Sequence, residues 1–424
     1  MSLDTAPRLD ADALLDDPQT RIVVCCGAGG VGKTTTAAAL GVRAAERGRR
    51  VVVLTIDPAK RLAQSMGIDA LDNSPRQVEG IEGPGELYAM MLDMKRTFDE
   101  IVEAHAEGDR ARAILENPFY QSLSAGFAGT QEYMAMEKLG QLRARDSWDL
   151  IIVDTPPSRS ALDFLDAPKR LGSFLDGRFI RLLTAPAKAG GRAGMKFLNV
   201  GMSMMTGTLG KLLGASLLRD VQTFVAAMDT LFGGFRTRAE ATYRLLQAPG
   251  TAFLVVATPE RDALREAAYF VERLEADRMP LAGLVLNRVH ESGAAQLSAE
   301  RALAAAETLD ERGVDDAGPG AKSAGAAGTD TASTGGTDTA DTAGSTGSTG
   351  GTDSTGTEGA AALLRLHAER MQVLAHERRT RDRFAALHPE VPVTQVTALP
   401  GDVHDLAGLR DVAELLTAQE APGA

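Results

Sequence analysis

The sequence predicts an α/β fold with an open, doubly wound and mainly parallel sheet. Short runs of β-branched and aliphatic residues recur along the chain, separated by segments of helical length. The runs are continuously apolar, as in strands that are buried on both faces. The first run leads directly into a glycine-rich turn and then a helical pattern, an arrangement found where such sheets bind ligands.

Six runs are candidate strands, taken in chain order. They are residues 21–26, 51–56, 150–153, 253–256, 281–286 and 391–396. Because segments of helical length connect most of them, we expect the strands to lie parallel and the helices to cover both faces of the sheet.

Three segments interrupt this alternation of strands and helices. Stretches 95–146 and 161–248 have few turn signals and predict helical insertions on one side of the core. Residues 317–361 are rich in Gly, Thr, Ser, Ala and Asp and contain no Leu, Ile, Val, Met or aromatic residue, so they predict a disordered insertion. The expected organisation is an N-terminal extension, 1–20, followed by a single domain, 21–424.

Composition and charge exclude several classes of protein. The chain has 45 basic and 57 acidic residues, and its formal net charge of −12 argues against a general nucleic-acid binder. Its only cysteines, Cys25 and Cys26, are adjacent and would point to opposite faces of a strand, which precludes a local metal clamp. Neither a secretory signal nor an apolar run of the roughly 18 residues that span a membrane is present. We expect a cytoplasmic protein that reaches a membrane only through a partner.

The glycine-rich turn has the spacing of a phosphate-binding loop. Residues 27–34 read GAGGVGKT, which fits G-x-x-x-x-G-K-[ST], and a helical pattern follows. Such a loop points consecutive N–H groups at phosphate oxygens, and the helix N-terminus adds its positive end. Lys33 is expected to reach the β- and γ-phosphates of a nucleotide, and Thr34 to ligate Mg²⁺.

The same turn also satisfies a dinucleotide-binding pattern. Gly27, Gly29 and Gly32 fit G-x-G-x-x-G. Asp57 follows the second strand, where a dinucleotide-binding fold places its ribose-binding acid. An NAD-dependent oxidoreductase is therefore an alternative.

Two features favour a nucleoside triphosphate over a dinucleotide. A pyrophosphate site does not need the Lys33–Thr34 pair. A second acid, Asp154, ends the strand 150–153 and would support Mg²⁺ through water, while Asp57 would position the attacking water. Each acid could instead cap the following helix.

Three motifs together resemble a known family. Residues 27–35 (GAGGVGKTT), 55–59 (TIDPA) and 154–157 (DTPP) are similar to the phosphate loop, switch I and switch II of the ArsA and tail-anchored-protein-targeting ATPases. These belong to the deviant Walker A class of P-loop ATPases. The segment GTQEYMAMEKLGQL, together with the first two motifs, resembles the sequences of an actinobacterial branch labelled anion-transporting ATPases.

The resemblance implies an ATP- and Mg²⁺-dependent P-loop ATPase with assigned residues. Catalysis would depend on Lys33 and Asp57. Thr34 would ligate the metal, and Asp154 would support it through water. The phosphates would be held by the loop residues Gly27, Gly29, Gly30, Val31, Gly32, Lys33, Thr34 and Thr35.

The resemblance extends to the nucleotide base and to conformational change. Asn287 and the turn that contains Pro400 and Asp402 are similar to the family's adenine-contacting asparagine and purine loop. Nucleotide-driven closure of a dimer would then rearrange a helical subdomain that binds a client or partner.

One departure from the family concerns the partner. Family members have a lysine directly after the first glycine of the loop, which reaches the other subunit's nucleotide, whereas this chain has Ala28. We therefore expect an asymmetric dimer with a lysine-bearing paralogue. The alternative is a catalytically weak, ATP-binding regulatory subunit. The family's arsenite-binding and zinc-binding cysteines are absent too, so neither site is expected.

An apolar stripe lies within the second insertion. It consists of side chains spaced by four, three, four and three residues, namely Leu198, Met202, Met205, Leu209 and Leu212. This spacing predicts one face of a helix. The face could belong to an ordinary core helix or to a flexible groove for an apolar client segment or membrane protein.

Overall fold

The computed structural model describes most of the chain except the second insertion and the low-complexity tract. The described residues are 6–57, 61–106, 108–118, 120–121, 130–156, 237–316 and 353–418. The methionine-bearing stripe, 198–212, lies outside them. So do most of the predicted insertion 161–248, most of the tract 317–361, residues 58–59 of the switch I motif and residue 157 of the switch II motif.

A sheet forms the core of the described residues. Its strands are β1 (Ile22–Cys26), β2 (Arg50–Thr55), β3 (Arg76–Gln77), β4 (Glu86–Met91), β5 (Leu150–Asp154), β6 (Thr251–Ala257), β7 (Leu281–Val289) and β8 (Val393–Thr397). Their order across the sheet is β3-β4-β2-β5-β1-β6-β7-β8. All neighbours pair in parallel except β3 and β4. The predicted open, mainly parallel sheet is confirmed.

Helices connect these strands. They are α1 (Ala11–Asp16), α2 (Lys33–Glu46), α3 (Arg61–Ser65), α4 (Met94–His105), α5 (Gly108–Leu115), α6 (Thr130–Ala144), α7 (Arg261–Ala276), α8 (Ala299–Asp316), α9 (Asp353–Leu387) and α10 (Leu406–Thr417). Residues 237–247 are also helical. None of the described helices combines the length and the apolar composition needed to cross a membrane.

Two apolar layers cover the two faces of the sheet. Along β1, Val24 and Cys26 point into one layer, and Val23 and Cys25 into the other. The first layer packs under α4, α6 and α7, and the second under α2 and α10. Both cysteines are free and fully buried on opposite faces of the sheet, as the alternation of side chains along a strand requires.

The described part of the N-terminal segment packs against the outer edge of the sheet. The backbone N–H of Leu9 donates to the carbonyl of Val393 at 3.1 Å, which adds a short pairing to β8. Within α1, Asp12 forms an ion pair with Arg43 of α2 at 2.8 Å, and Leu15 is buried. The apolar packing and the hydrogen bonds order this segment together.

The chain divides into two compact units. One comprises Met1–Val289 and Thr380–Ala424, and the other His290–Arg379. Within the second unit, Arg370 of α9 donates to the carbonyl of Glu291 at 2.6 Å, and His367 contacts the carbonyl of Leu297 at 2.8 Å. The glycine-rich loop and both strand-end acids lie in the first unit.

Candidate functional site

The loop between β1 and α2 has a backbone that only glycines can supply. Gly27, Gly30 and Gly32 have φ values of 149°, 78° and 97°. A Cβ at Gly27 would lie 2.1 Å from the carbonyl oxygen of Val256, and one at Gly32 would lie 2.1 Å from Nδ2 of Asn287. Positive φ therefore requires glycine at both positions, and at Gly27 the backbone of Val256 also leaves no room for a Cβ.

The other residues of the loop separate into an exposed and a buried set. Gly29 and Gly30 are exposed, so their backbone is accessible from solvent. Val31 instead buries its side chain in the core. Thr35 is half-buried in the first turn of α2. The loop is thus anchored by Val31 and open where a phosphate would approach the glycines.

Lys33, the first residue of α2, is folded back over the loop. Its Nζ donates to the carbonyl of Ala28 at 2.7 Å, and the residue is only 5% exposed. Burial lowers the pKa of Lys33, and the carboxylates of Asp154 and Asp57 oppose this shift. A phosphate at the loop would give the amine an anionic partner in place of a neutral carbonyl.

Asp154, the last residue of β5, is fully buried beside the loop. Its Oδ2 accepts hydrogen bonds from the hydroxyls of Thr34 at 2.8 Å and Thr55 at 2.9 Å. Its Oδ1 is buried without a hydrogen-bond partner among the described residues. Burial raises the pKa of Asp154 to about 6, against the opposing effect of the two hydroxyls. The carboxylate has more acceptor capacity than the described residues satisfy.

The peptide group that precedes Asp57 is held at both of its polar ends. The N–H of Asp57 donates to Oγ1 of Thr55 at 3.2 Å. The carbonyl of Ile56 accepts from Nε2 of Gln131 at 3.0 Å. The N–H of Ile56 donates to the carbonyl of Asp154 at 3.0 Å. Switch I is therefore bound directly to the end of β5 and to the first turn of α6.

Thr55 and Gln131 are functional candidates that sequence reasoning did not single out. Both belong to segments that resemble the family, TIDPA and GTQEYM, and that resemblance was the available signal. Their contacts with Asp154 and Ile56 join residues that lie 99 and 75 positions apart, so spacing along the chain could not reveal them.

Of the predicted base-contacting residues, Asn287 lies near the carboxyl end of β7, and Pro400 and Asp402 follow β8. Asn287 donates from Nδ2 to the carbonyl of Val31 at 2.9 Å, which places it directly against the phosphate loop. Pro400 and Asp402 are exposed in the segment after β8, which pairs with β7. The structure thus brings Asn287 to the loop and the turn to the neighbouring strand end, and their contact with adenine stays a prediction.

Parallel pairing gathers these residues at one edge of the sheet. β1 lies between β5 and β6, and β5 pairs with β2, so the loop, Asp154 and Asp57 follow three neighbouring strands. Ligands of open α/β sheets bind at this carboxyl edge, where the connections leave toward opposite faces. The site is therefore where the architecture predicts it.

The oxygen donors at this edge fit Mg²⁺. Thr34 supplies a hydroxyl, and Asp154 supplies a carboxylate with one oxygen that has no partner in the described part of the chain. Within the described ranges, no three His, Cys, Asp or Glu side chains converge as metal ligands. Mg²⁺ suits such a sparse site because it takes most of its ligands from water and phosphate oxygens.

Comparison with known proteins connects this geometry to a family. The sequence model of the anion-transporting ATPases matches residues 20–311. ATPase GET3 of Podospora anserina is 28% identical over 68% of this chain and 78% of its own length. ATPase get3 of Pyrenophora tritici-repentis is 32% identical over 52% of this chain and 68% of its own. A Halobacterium salinarum protein, named for driving an arsenical pump, is 29% identical over 43% of this chain and 29% of its own.

Proposed function

The chain belongs to the anion-transporting ATPase family, and from that premise we propose that it is a Mg²⁺-dependent ATPase whose nucleotide state drives dimer closure. Closure would rearrange the helical part of the chain and so expose or hide a site for a client or partner. One observation carries this proposal. Thr34 of the phosphate loop shares the buried carboxylate of Asp154 with Thr55, the residue that begins switch I.

The chain's own residues have distinct tasks in this reaction. The loop N–H groups and Lys33 bind the β- and γ-phosphates, which requires Lys33 to leave the carbonyl of Ala28. Mg²⁺, when bound, neutralises charge on the phosphates, and Thr34 and Asp154 would hold it. Asp57 would orient the attacking water and accept its proton.

The nature of the partner follows from Ala28. Its side chain is a methyl group, and its carbonyl already accepts from Lys33 of the same chain. It therefore cannot supply a cation to a second subunit's nucleotide. We propose that this chain pairs with a paralogue that carries a lysine at this position. The regulatory-subunit alternative rests on the same residue, whereas the presence of Asp57 favours an active ATPase.

ATP turnover by the purified chain across a range of protein concentrations tests this proposal. Lys33→Ala is the blank for contaminating activity, and Ala28→Lys restores the missing cation. Under the partner proposal, the wild type binds ATP with turnover near the blank, and Ala28→Lys raises turnover by about 100-fold or more, the scale of a supplied cation.

Two other outcomes would contradict parts of the proposal. Wild-type turnover that rises faster than linearly with protein concentration would show a catalytic homodimer, and the paralogue would be unnecessary. Binding of NAD in preference to ATP would favour the oxidoreductase alternative. The hydrogen bond between Thr34 and Asp154 favours a nucleoside triphosphate over NAD as the ligand, because a dinucleotide site does not need this pair.

A further inference from the structure

An amide side chain of α6 holds the segment that carries Asp57. Gln131 stands in the first turn of α6, and its Nε2 donates to the carbonyl of Ile56 at 3.0 Å. That carbonyl belongs to the same peptide group as the N–H of Asp57, which donates to Thr55 at 3.2 Å. Rotation of this peptide group would break both bonds together.

We propose that Gln131 is a positioning residue that fixes the direction of the Asp57 carboxylate during ATP hydrolysis. The inference rests on the proposed ATPase function and deepens it. Because Ile56 is only 4% exposed, its carbonyl has little access to solvent if the amide is removed. The peptide would then be free to rotate toward another donor, and Asp57 would rotate with it.

Holding the carbonyl of Ile56 requires an uncharged hydrogen-bond donor on a side chain as long as that of glutamine. The guanidinium or ammonium of a longer side chain would bring a positive charge beside Asp57 and compete for its carboxylate. A carboxylate in place of the amide would face the carbonyl with no proton to donate. Glutamine donates to the carbonyl without adding charge next to the water-positioning acid.

Gln131 contributes little to the packing of its own helix. α6 is held in the core by the buried side chains of Tyr133, Met134, Met136 and Leu139. Gln131 is half-buried at the edge of this apolar face. Its replacement therefore leaves the apolar contacts of α6 in place, and a loss of activity would not follow from unfolding of the helix.

The first test separates ground-state binding from the reaction. The variants are Gln131→Ala and Gln131→Glu, with Gln141→Glu on the same helix as the matched control. Affinity is measured for ADP alone and for ADP with aluminium fluoride, which imitates the phosphoryl group in transfer. We expect the Gln131 variants to bind ADP within about twofold of wild type. A misdirected group costs on the order of 10- to 100-fold in reactivity, so the affinity for ADP with aluminium fluoride should fall by this factor, and so should single-turnover hydrolysis measured in the Ala28→Lys background.

The second test needs no hydrolysis. Amide hydrogen exchange at Asp57 in the nucleotide-free protein should quicken by about tenfold in Gln131→Ala, because the peptide group can then rotate and break the hydrogen bond from its N–H to Thr55. Gln141→Glu should exchange as wild type does. Unchanged exchange, or an equal loss of both ADP and ADP–fluoride affinity, would overturn the proposal. A wild type that binds no ATP would refute the proposed function instead, while the exchange still reports whether Gln131 holds this peptide.

Discussion

Two buried carboxylates, Asp154 at the end of β5 and Glu137 on α6, are stabilised in different ways. Both oxygens of Glu137 accept from Nε of Arg238, at 2.8 and 3.0 Å, and the hydroxyl of Tyr133 donates to one of them at 2.9 Å. Asp154 receives two threonine hydroxyls on one oxygen and, among the described residues, no hydrogen bond on the other. One carboxylate is complete without a ligand and the other is not.

The difference fits the proposed roles, in which Glu137 stabilises the fold and Asp154 would serve a ligand. A buried charge is tolerated when an opposite charge and hydrogen bonds satisfy it, as at Glu137. Where burial exceeds the available partners, the charged form is disfavoured, and the raised pKa of Asp154 is the consequence. A bound cation would supply what Asp154 lacks, so its incomplete surroundings suit a metal site.

The comparison can be tested first by removing a cation from each region. At the nucleotide site we expect Lys33→Ala, made in the Ala28→Lys background, to lower ATP turnover by about 100-fold or more, to the blank, because the added lysine serves the other subunit's nucleotide and no other loop side chain offers positive charge to the chain's own phosphates. Folding should be nearly unaffected, since among the described residues the buried ammonium of Lys33 donates a hydrogen bond to a neutral carbonyl and to no carboxylate. Turnover and chemical denaturation measure the two effects, and a large loss of stability would contradict this division.

Arg238→Ala is the corresponding change at Glu137. Removing this partner leaves a carboxylate whose side chain is 4% exposed without its opposite charge, and such a change destabilises proteins by about 3 kcal/mol. Nucleotide affinity should change little. The matched control is Arg244→Ala, because Arg244 is 78% exposed and its ion pair is long, at 3.9 Å. A loss below about 1 kcal/mol for Arg238→Ala would show that Glu137 is accommodated by water instead.

The sequence predicts the nucleotide region better than it predicts the Glu137 region. The phosphate loop and the two strand-end acids follow from local spacing, because parallel strands bring their carboxyl ends to one edge. Glu137 meets Arg238 across 101 residues, on two helices whose relative placement depends on tertiary packing. No local pattern encodes that placement.

Other parts of the fold were not predicted for similar reasons. β4 is missing from the predicted strands because Glu86 and Tyr88 interrupt its apolar run, and both contact neighbouring side chains at the amino end of the sheet. Residues 1–20 resemble none of the family's motifs, yet Arg49 binds the carbonyls of Leu15 and Thr20 at 2.8 and 2.5 Å. Both features depend on long-range partners.

The pKa of Asp154 predicts how stability depends on pH. Its folded value is about 6 and its ordinary value is 3.8, so the folded protein binds more protons between these limits. The contribution of Asp154 is therefore present below about pH 4 and is lost as the pH rises through about 6, by up to about 3 kcal/mol. Nucleotide-free Asp154→Asn should be more stable than wild type by about 1–2 kcal/mol at pH 8, since the unpartnered Asn amide offsets part of the gain.

The same variant provides its own control. At pH 4.5 the advantage of Asp154→Asn should disappear, because the wild-type carboxyl is then largely protonated in the folded protein. Mg²⁺ and ATP should stabilise the wild type and have little effect on the variant. Denaturation at both pH values measures the difference, and an equal advantage at both would show that the charge of Asp154 is not its cause.

The smallest expected effects come from removing one hydroxyl group that donates a hydrogen bond to each carboxylate. Tyr133→Phe deletes the donor to Glu137, and Thr55→Val deletes one of the two donors to Asp154. Tyr133→Phe should cost about 1 kcal/mol, the usual loss for one buried hydrogen bond. We expect this cost to be the same at pH 6.5 and pH 8, because both oxygens of Glu137 keep their hydrogen bonds from the guanidinium of Arg238.

Thr55→Val should behave differently, because among the described residues Asp154 accepts its hydrogen bonds from hydroxyls and not from a guanidinium, and Lys33 acts on it only through its charge. The hydroxyl of Thr55 lowers the pKa of Asp154, so its loss raises that pKa further and penalises the charged form. The cost should therefore grow as the pH rises from 6.5 to 8, whereas the cost of Tyr133→Phe stays constant. Chemical denaturation of both variants at both pH values makes the comparison. If the two costs respond to pH in the same way, then the partners of the two carboxylates are equivalent, and Asp154 is not the incomplete one.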